Sequence, residues 1–373
     1  MNTSAALHGQ RPRLCFSSTP TLVVKVGTTS LVRPDGMVDR DAQAVLCAQL
    51  AALRRHGAQP VLVSSGAVAA GLPVLGFKHR PDDIETLQAL SAVGQGVLME
   101  TYRPLLAACG VHCGQVLLTR TNFEERSQYL RARATLRRML ELNVLPIVNE
   151  NDTVAGDEIR FGDNDRLSAL VAHLIQADAL VLLTDQAGLF DADPRLVTSA
   201  NLIEEVHAID EELEAMASGV SSGLGSGGMA SKLAAAKMAS HSGVPTVIAS
   251  GRDPDVLLSL LHGAPIGTLV RPQPRRLSSR KLWIAFAQPP AGRLVIDKGA
   301  VRALVENGRS LLAVGIAAVR GKFIAGDAVE ILDGKENLVA KGRVRVDAET
   351  VRSAAGNRGA PVIVHRDDLV VLR

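Results

Sequence analysis

Aromatic side chains are scarce in this chain: they make up 3% of its 373 residues, with one Trp and two Tyr. Proteins that bind single-stranded nucleic acid by stacking bases on aromatic rings need more of them, so the composition argues against that class. Cysteine is also sparse. Cys15, Cys47, Cys109 and Cys113 follow no repeated spacing, which excludes a disulfide framework and fits a reducing cytoplasm. Cys109, His112 and Cys113 lack the second ligand pair of a structural metal site, and no metal site is expected from them. The first residues have no apolar core segment of a signal peptide, and no apolar run reaches the roughly 20 residues that span a bilayer.

What is present is ordinary globular material, with 47% apolar and 21% charged residues, and a length that exceeds one hydrophobic core, so two domains are expected. Net charge is +3 and uneven: residues 1–289 hold 27 Lys and Arg against 28 Asp and Glu, and residues 290–373 hold 14 against 10. The basic tail permits an RNA contact without requiring one; a solvated surface accounts for it equally.

Residues 1–20 are polar and aperiodic and read as a disordered extension. Strands and helices then alternate. Strands are expected over 21–26, 60–63, 114–118, 144–148, 179–183 and 246–249. Helical spacing covers 41–56, 86–109 (with Pro104 expected to kink or divide it), a segment capped by Ser127 and running to Leu142, 166–176 and 229–241. This alternation is the mark of a doubly wound parallel sheet. Beyond a stretch rich in Pro, Arg and Ser at 271–280, short segments such as 293–296, 328–332, 339–346 and 369–372 are separated by Gly and Asp, which predicts a small β-rich module. The division expected is an extension over 1–20, a first domain over 21–285, and a linker with the β-rich domain over 286–373.

In an open parallel sheet the carboxyl ends of the strands share one rim, so polar motifs at those ends can meet around one ligand. Four such motifs occur: Ser64-Ser65-Gly66-Ala67, Asn149-Glu150-Asn151-Asp152, Thr184-Asp185, and the glycine-rich run at 221–232. That run precedes a helix, where backbone amides and the helix dipole favour an anion, with Lys232 in the first turn; it lacks the Gly-Lys-Ser/Thr ending of a P-loop. A flexible loop is the bland alternative. Lys25 interrupts an apolar strand, which is costly unless its ammonium is paired or emerges at the rim, and a phosphate suits it. Snorkelling at the sheet edge is the alternative. Asp163, Asn164 and Asp165 exceed what one cap needs for a helix beginning near Arg166. Arg131, Arg133, Arg137 and Arg138 share a helix face that suits phosphate, or is simply solvated.

Taken in order, Val-Val-Lys25-Val-Gly-Thr, Ser64-Ser65-Gly-Ala, Asn149-Glu-Asn-Asp152, Gly162-Asp163-Asn164-Asp165, Thr184-Asp185-Gln and Gly225-Ser-Gly-Gly-Met229-Ala-Ser-Lys232 resemble the glutamate 5-kinases of the amino-acid kinase family joined to a C-terminal PUA domain. The closing Val364-His365-Arg366-Asp367-Asp368 is similar to the end of that family. The resemblance covers nearly everything after residue 20 and implies a three-layer αβα sandwich with a mainly parallel sheet plus the PUA domain. It implies transfer of the γ-phosphoryl group of ATP to L-glutamate, with Mg²⁺, in proline biosynthesis. By it, Ser65, Asp152 and Asn164 bind glutamate, joined by Asn149 and Asp163. Thr184, Asp185, Ser226, Gly227, Gly228, Met229, Ala230, Ser231 and Lys232 bind ATP. Lys25 and Lys232 serve transfer, with Asp165 orienting them. L-Proline as feedback inhibitor, glutamyl phosphate reductase as pathway partner and a homo-oligomer are further implications. A related kinase of another acidic amino acid, or an RNA-binding regulatory protein, are the competing expectations. Two departures stand out: Ser64, where the family often has Thr, and Asn122, where an acidic residue is frequent.

Overall fold

The computed structural model describes residues 13–33, 37–119, 121–154, 164–218, 228–274, 277–357, 359 and 361–372. It divides into two compact units, residues 1–275 and 276–373. In the first unit eight strands form one sheet: β1 (Thr21–Val26), β2 (Gln59–Ser64), β3 (His112–Leu118), β4 (Val144–Glu150), β5 (Ala179–Thr184), β6 (Glu205–Val206), β7 (Thr246–Ser250) and β8 (Thr268–Val270). Their order is β3-β4-β2-β1-β5-β7-β8-β6. Every pairing is parallel except that of β7 with β8.

The helices are α1 (Arg40–Arg55), α2 (Ala67–Val74), α3 (Ile84–Ala108), α4 (Thr121–Glu124), α5 (Arg126–Glu141), α6 (Asn164–Ile175), α7 (Glu211–Ser218), α8 (Met229–His241) and α9 (Val256–Leu261). Alternation along β1 sorts them into two layers. Leu22, Val24 and Val26 join Leu50 and Leu53 of α1, Leu98 and Tyr102 of α3, and Val256 and Leu260 of α9 in one buried cluster. Val23 and Lys25 therefore face the opposite layer, where α6 packs on β1 and on its neighbours α5 and α8. The result is the three-layer αβα sandwich.

Three local expectations change. The chain expected to be a free extension is tied down from Arg13 onward, whose guanidinium donates to Gly267 O at 3.1 Å and pairs with Glu204 at 3.1 Å, while Leu14 and Phe16 pack on the core. Helix α3 runs through Pro104 without division, because its apolar face, buried along the whole length, outweighs one lost hydrogen bond. Helix α5 begins at Arg126 after Glu125, with no side-chain cap bond, so Ser127 lies inside it.

The second unit comprises α10 (Ser279–Leu282), a π-helical turn over Trp283–Ala287, β9 (Pro290–Ile296), α11 (Lys298–Val305), β10 (Leu311–Leu312), β11 (Ile316–Gly321), β12 (Ala328–Leu332), β13 (Leu338–Val344), α12 (Ala348–Ala354) and β14 (Val362–Val371). Its sheet order is β10-β14-β13-β12-β9-β11. Leu294, Val329, Ile331, Val339, Ile363 and Val364 fill its core. The unit begins ahead of the boundary expected near residue 285. Ile284 and Ala285 pack against Val370, and the buried Lys341 ammonium donates to the carbonyls of Ala285 (3.2 Å) and Gln288. Among the described residues, no helix is long and apolar enough to cross a membrane.

Candidate active site

Because β1, β2, β4 and β5 run parallel side by side, their last residues gather on one rim. Lys25 is the second-last residue of β1, pairing with Val63 of β2 and Leu182 of β5. It points to the face covered by α6, whose first turn carries Asp165, and its Nζ lies 2.6 Å from Asp165 Oδ1. From the first turn of α8, Ser231 Oγ donates to Asp165 Oδ2 at 2.7 Å and Lys232 Nζ lies 3.4 Å from the same oxygen. Lys25, Asp165 and Lys232 are 4%, 0% and 6% exposed. At that depth charge survives only when paired. Burial alone would push the Asp165 carboxyl up; the charges of Lys25 and Lys232, and hydrogen bonds from Lys25 and Ser231, instead hold it below the usual range. It is ionised, and it keeps two ammonium groups side by side.

One residue earlier, Asn164 turns toward the other end of the rim. Its Nδ2 lies 2.7 Å from Asn149 Oδ1, 2.9 Å from Ser65 Oγ and 3.0 Å from Ser64 O, while its buried Oδ1 has no hydrogen-bond partner among the described residues. Asn149 Nδ2 donates to Gln95 Oε1 at 2.7 Å, and Ser91 Oγ to Asp152 Oδ2 at 2.8 Å. Burial raises the Asp152 pKa, opposed by the Ser91 hydrogen bond and by Arg80. Gly66, with φ +103°, makes the turn from β2 into α2 that leaves Ser65 at the rim. Helix α2 then approaches α3 closely: a Cβ on Gly94 would stand 1.8 Å from Ala67 O, and one on Gly71 2.1 Å from Leu90 O. That contact carries the polar residues of α3 to the site.

On the β5 side, Thr184 is buried and its Oγ1 donates to Asp185 Oδ1 at 3.1 Å. Asp185 itself is exposed. Gly228 is the N-cap of α8 and has no side chain to offer its first turn, whose backbone amides and dipole favour an anion. Met229 is buried and Ala230 exposed. Asp163, Ser226 and Gly227 lie outside the described residues.

The structure thus gathers Lys25, Lys232 and Asp165 into one group, and Ser65, Asn149 and Asn164 into a second that begins one residue away. Asp152 is held by α3. Helix α6 is described from Asn164, two residues ahead of Arg166, so Asn164 and Asp165 lie in its first turn and turn their side chains to the rim. Ser91, Gln95 and Tyr102 escaped sequence reasoning. Their signal was present, since three polar or hydroxyl-bearing residues share one face with Leu87 and Leu98 at helical spacing. The arginine face of α5 proves partly structural. Arg133 and Arg137 both donate to Gln176 Oε1, at 3.0 and 2.9 Å, and Arg137 also reaches Ile175 O at 3.4 Å. They serve the C-terminal end of α6, where cations are favoured. Asn122 Oδ1 accepts from Thr119 N at 2.6 Å and its Nδ2 donates to Gln128 at 2.7 Å, fixing the turn after β3. Among the described residues, no group of three or more His, Cys, Asp or Glu is placed to hold a metal ion.

Comparison with known proteins agrees with this geometry. Residues 20–250 match the amino acid kinase family and residues 292–366 the PUA domain. The chain is similar to the glutamate 5-kinase of Nitrosospira multiformis, 46% identical over 362 residues that span 94% of this chain and 97% of that one. It is 47% identical to that of Chromobacterium violaceum over 363 residues, 94% of this chain and 97% of the relative. With that of Burkholderia thailandensis it shares 46% over 372 residues, 96% and 100% of the two chains. A parallel sheet with two lysines and an aspartate on its rim, matched to these relatives over almost its whole length, belongs to the amino acid kinase family, in its glutamate 5-kinase branch, and ends in a PUA domain.

Proposed function

We infer that the protein transfers the γ-phosphoryl group of ATP to the side-chain carboxylate of L-glutamate, forming L-glutamyl 5-phosphate and ADP, the first step of proline biosynthesis. The observation that carries this reading is the convergence of Lys25 and Lys232 on Asp165 at the rim, in a chain whose relatives are named glutamate 5-kinase. A glutamate side chain, which ordinarily titrates at about 4.3, is already ionised at neutral pH, so no general base is required. The obstacle is repulsion between two anions. A carboxylate oxygen attacks the γ-phosphorus as the bond to the β,γ-bridging oxygen breaks, and ADP leaves with that electron pair.

Catalysis then rests on positioning and on charge stabilisation. In this reading Lys25 and Lys232 meet phosphate oxygens, Asp165 keeps them in register, and the residues 226–232 carry the phosphates on backbone amides. Thr184 and Asp185 take the nucleoside side. Asp152, Asn164 and Asp163 receive the substrate ammonium with Asn149 in support, and Ser65 meets a carboxylate. Asn164 Oδ1, which has no hydrogen-bond partner among the described residues, supports this division, because a buried acceptor costs free energy until a donor arrives. Mg²⁺ would accompany ATP and offset phosphate charge, held largely by phosphate oxygens and water, with no residue of this chain assigned to it. We assign the enzyme to the cytoplasm as a homo-oligomer, with L-proline as feedback inhibitor and glutamyl phosphate reductase consuming the labile acyl phosphate.

Trapping the acyl phosphate with hydroxylamine, with glutamate, aspartate and N-acetylglutamate in parallel, tests the reading. Turnover of glutamate above the other two is expected. Equal or better turnover of aspartate would transfer the assignment to another acidic amino acid. Salt-dependent RNA binding without ATP turnover would favour the RNA-binding alternative.

A further inference from the structure

One buried face of helix α3 carries polar side chains beside Leu87 and Leu98. Ser91, Gln95 and Tyr102 stand at positions i, i+4 and i+11, within about 40° of one another around a helix of 3.6 residues per turn. Each bonds a different strand-end residue. Ser91 Oγ donates to Asp152 Oδ2 at 2.8 Å, Gln95 Oε1 accepts from Asn149 Nδ2 at 2.7 Å, and Tyr102 OH lies 2.9 Å from Ser64 Oγ. All three are buried, at 3%, 8% and 0% exposure. The same helix approaches α2 closely at Gly71 and Gly94, where no side chain fits, and this brings the face up to the site. Buried polar groups are tolerated when they are hydrogen-bonded, and all three of these bonds run to residues gathered at the rim.

We propose that the Ser91-Gln95-Tyr102 face of α3 is a positioning element for the amino-acid substrate, in which Ser91 aims the Asp152 carboxylate so that its second oxygen, Oδ1, receives the substrate ammonium. The proposal rests on the reading of Asp152 as the ammonium receiver. Ser91 is a positioning residue, acting through Asp152 and not on substrate itself. The geometry has a titration consequence. Burial raises the Asp152 pKa, and two described groups oppose it: the Ser91 hydroxyl from α3 and the exposed Arg80 guanidinium from the segment ahead of α3. Losing the hydroxyl removes one of the two, so Asp152 protonates at a higher pH and the acid limb of kcat/KM for glutamate moves upward.

The test compares Ser91→Ala, Ser91→Thr and Asp152→Asn in the full-length enzyme, with KM for glutamate and for ATP, kcat, thermal midpoint and the pH profile of kcat/KM for glutamate. A hydrogen bond to a charged group justifies an expected rise in glutamate KM on the order of 10-fold for Ser91→Ala, with kcat within about threefold, ATP KM unchanged and the acid limb displaced to higher pH. Ser91→Thr keeps a hydroxyl and is expected to restore the wild-type limb. If Asp152→Asn raises glutamate KM while Ser91→Ala leaves both KM and the acid limb in place, whatever its thermal midpoint, the positioning role is refuted and Asp152 keeps its assignment. If Asp152→Asn leaves glutamate KM unchanged, the reading of Asp152 fails, and this inference with it.

Discussion

Replacing Lys25 by Met separates what the buried ion pair does for the fold from what it does for phosphoryl transfer. Met retains most of the apolar stem and removes the charge that stands 2.6 Å from Asp165 Oδ1. Breaking a fully buried pair costs about 3–5 kcal/mol, and the lower end applies because Lys232, at 3.4 Å, and Ser231, at 2.7 Å, remain on the other carboxylate oxygen. About 3 kcal/mol converts to a fall in Tm of roughly 6–12 °C for a domain of this size. The effect depends on pH with a defined sign. Asp165 titrates below its ordinary value in the folded protein, so its contribution is fully present above its unfolded pKa of about 3.9 and is lost as pH falls through the lower folded value. The variant forfeits part of it, and the stability gap between the two proteins is therefore widest near neutral pH and narrows in acid. Independently, loss of one charge-stabilising donor lowers kcat by on the order of 10²-fold or more, with little change in glutamate KM. Thermal melts of both proteins from pH 8 down to about pH 2, through the window below the unfolded carboxylate value, and hydroxamate assays at a temperature where both are folded measure the two effects. A variant with wild-type kcat would refute the transfer role of Lys25, and one whose stability gap is constant across pH would refute the pairing as its cause.

Gly94→Ala forces a methyl group to within 1.8 Å of Ala67 O; α2 and α3 must separate, with a loss of about 1–3 kcal/mol and a raised glutamate KM, whereas Gly96→Ala, with nothing within 4 Å of its added Cβ, should be neutral or stabilising in the same melts. A chain ending after residue 275 is expected to be soluble and to keep kinase activity, while one ending at Pro289 carries Trp283 and Ile284 without Val370 to cover them and should aggregate more in sedimentation assays; loss of turnover in a folded 1–275 chain would show that the second unit completes the site. Free L-proline is expected to raise the apparent KM for glutamate without lowering the maximal rate, and a saturation curve unmoved by millimolar proline would exclude that control.

Much of this protein is set by local sequence. Apolar runs such as Leu180 to Leu183 and helical spacing such as Leu167, Val171 and Leu174 act over a few residues, so the alternation of strand and helix, the parallel sheet and the rim position of Ser65, Asn149, Thr184 and Lys25 were legible without coordinates. Most other pairings were not. Asp165 was expected to orient Lys25 and Lys232, but its distances to them come from the packing of α6 over β1, with Lys232 brought from 67 residues beyond that aspartate. The arginines of α5 were open to a phosphate or to solvent in sequence, and the structure gives two of them Gln176. The segment 277–285 is expected from sequence to close the first domain, yet Val370 and Lys341, far along the chain, bind it to the second unit. Ser91, Gln95 and Tyr102 share a helix face in sequence, but their partners do not follow from it, because a hydroxyl on a helix face announces no partner of its own. Local preference decides which elements form; which side chains meet depends on long-range packing, and there the absence of a Cβ at Gly71 and Gly94 determines how near α3 comes to the rim.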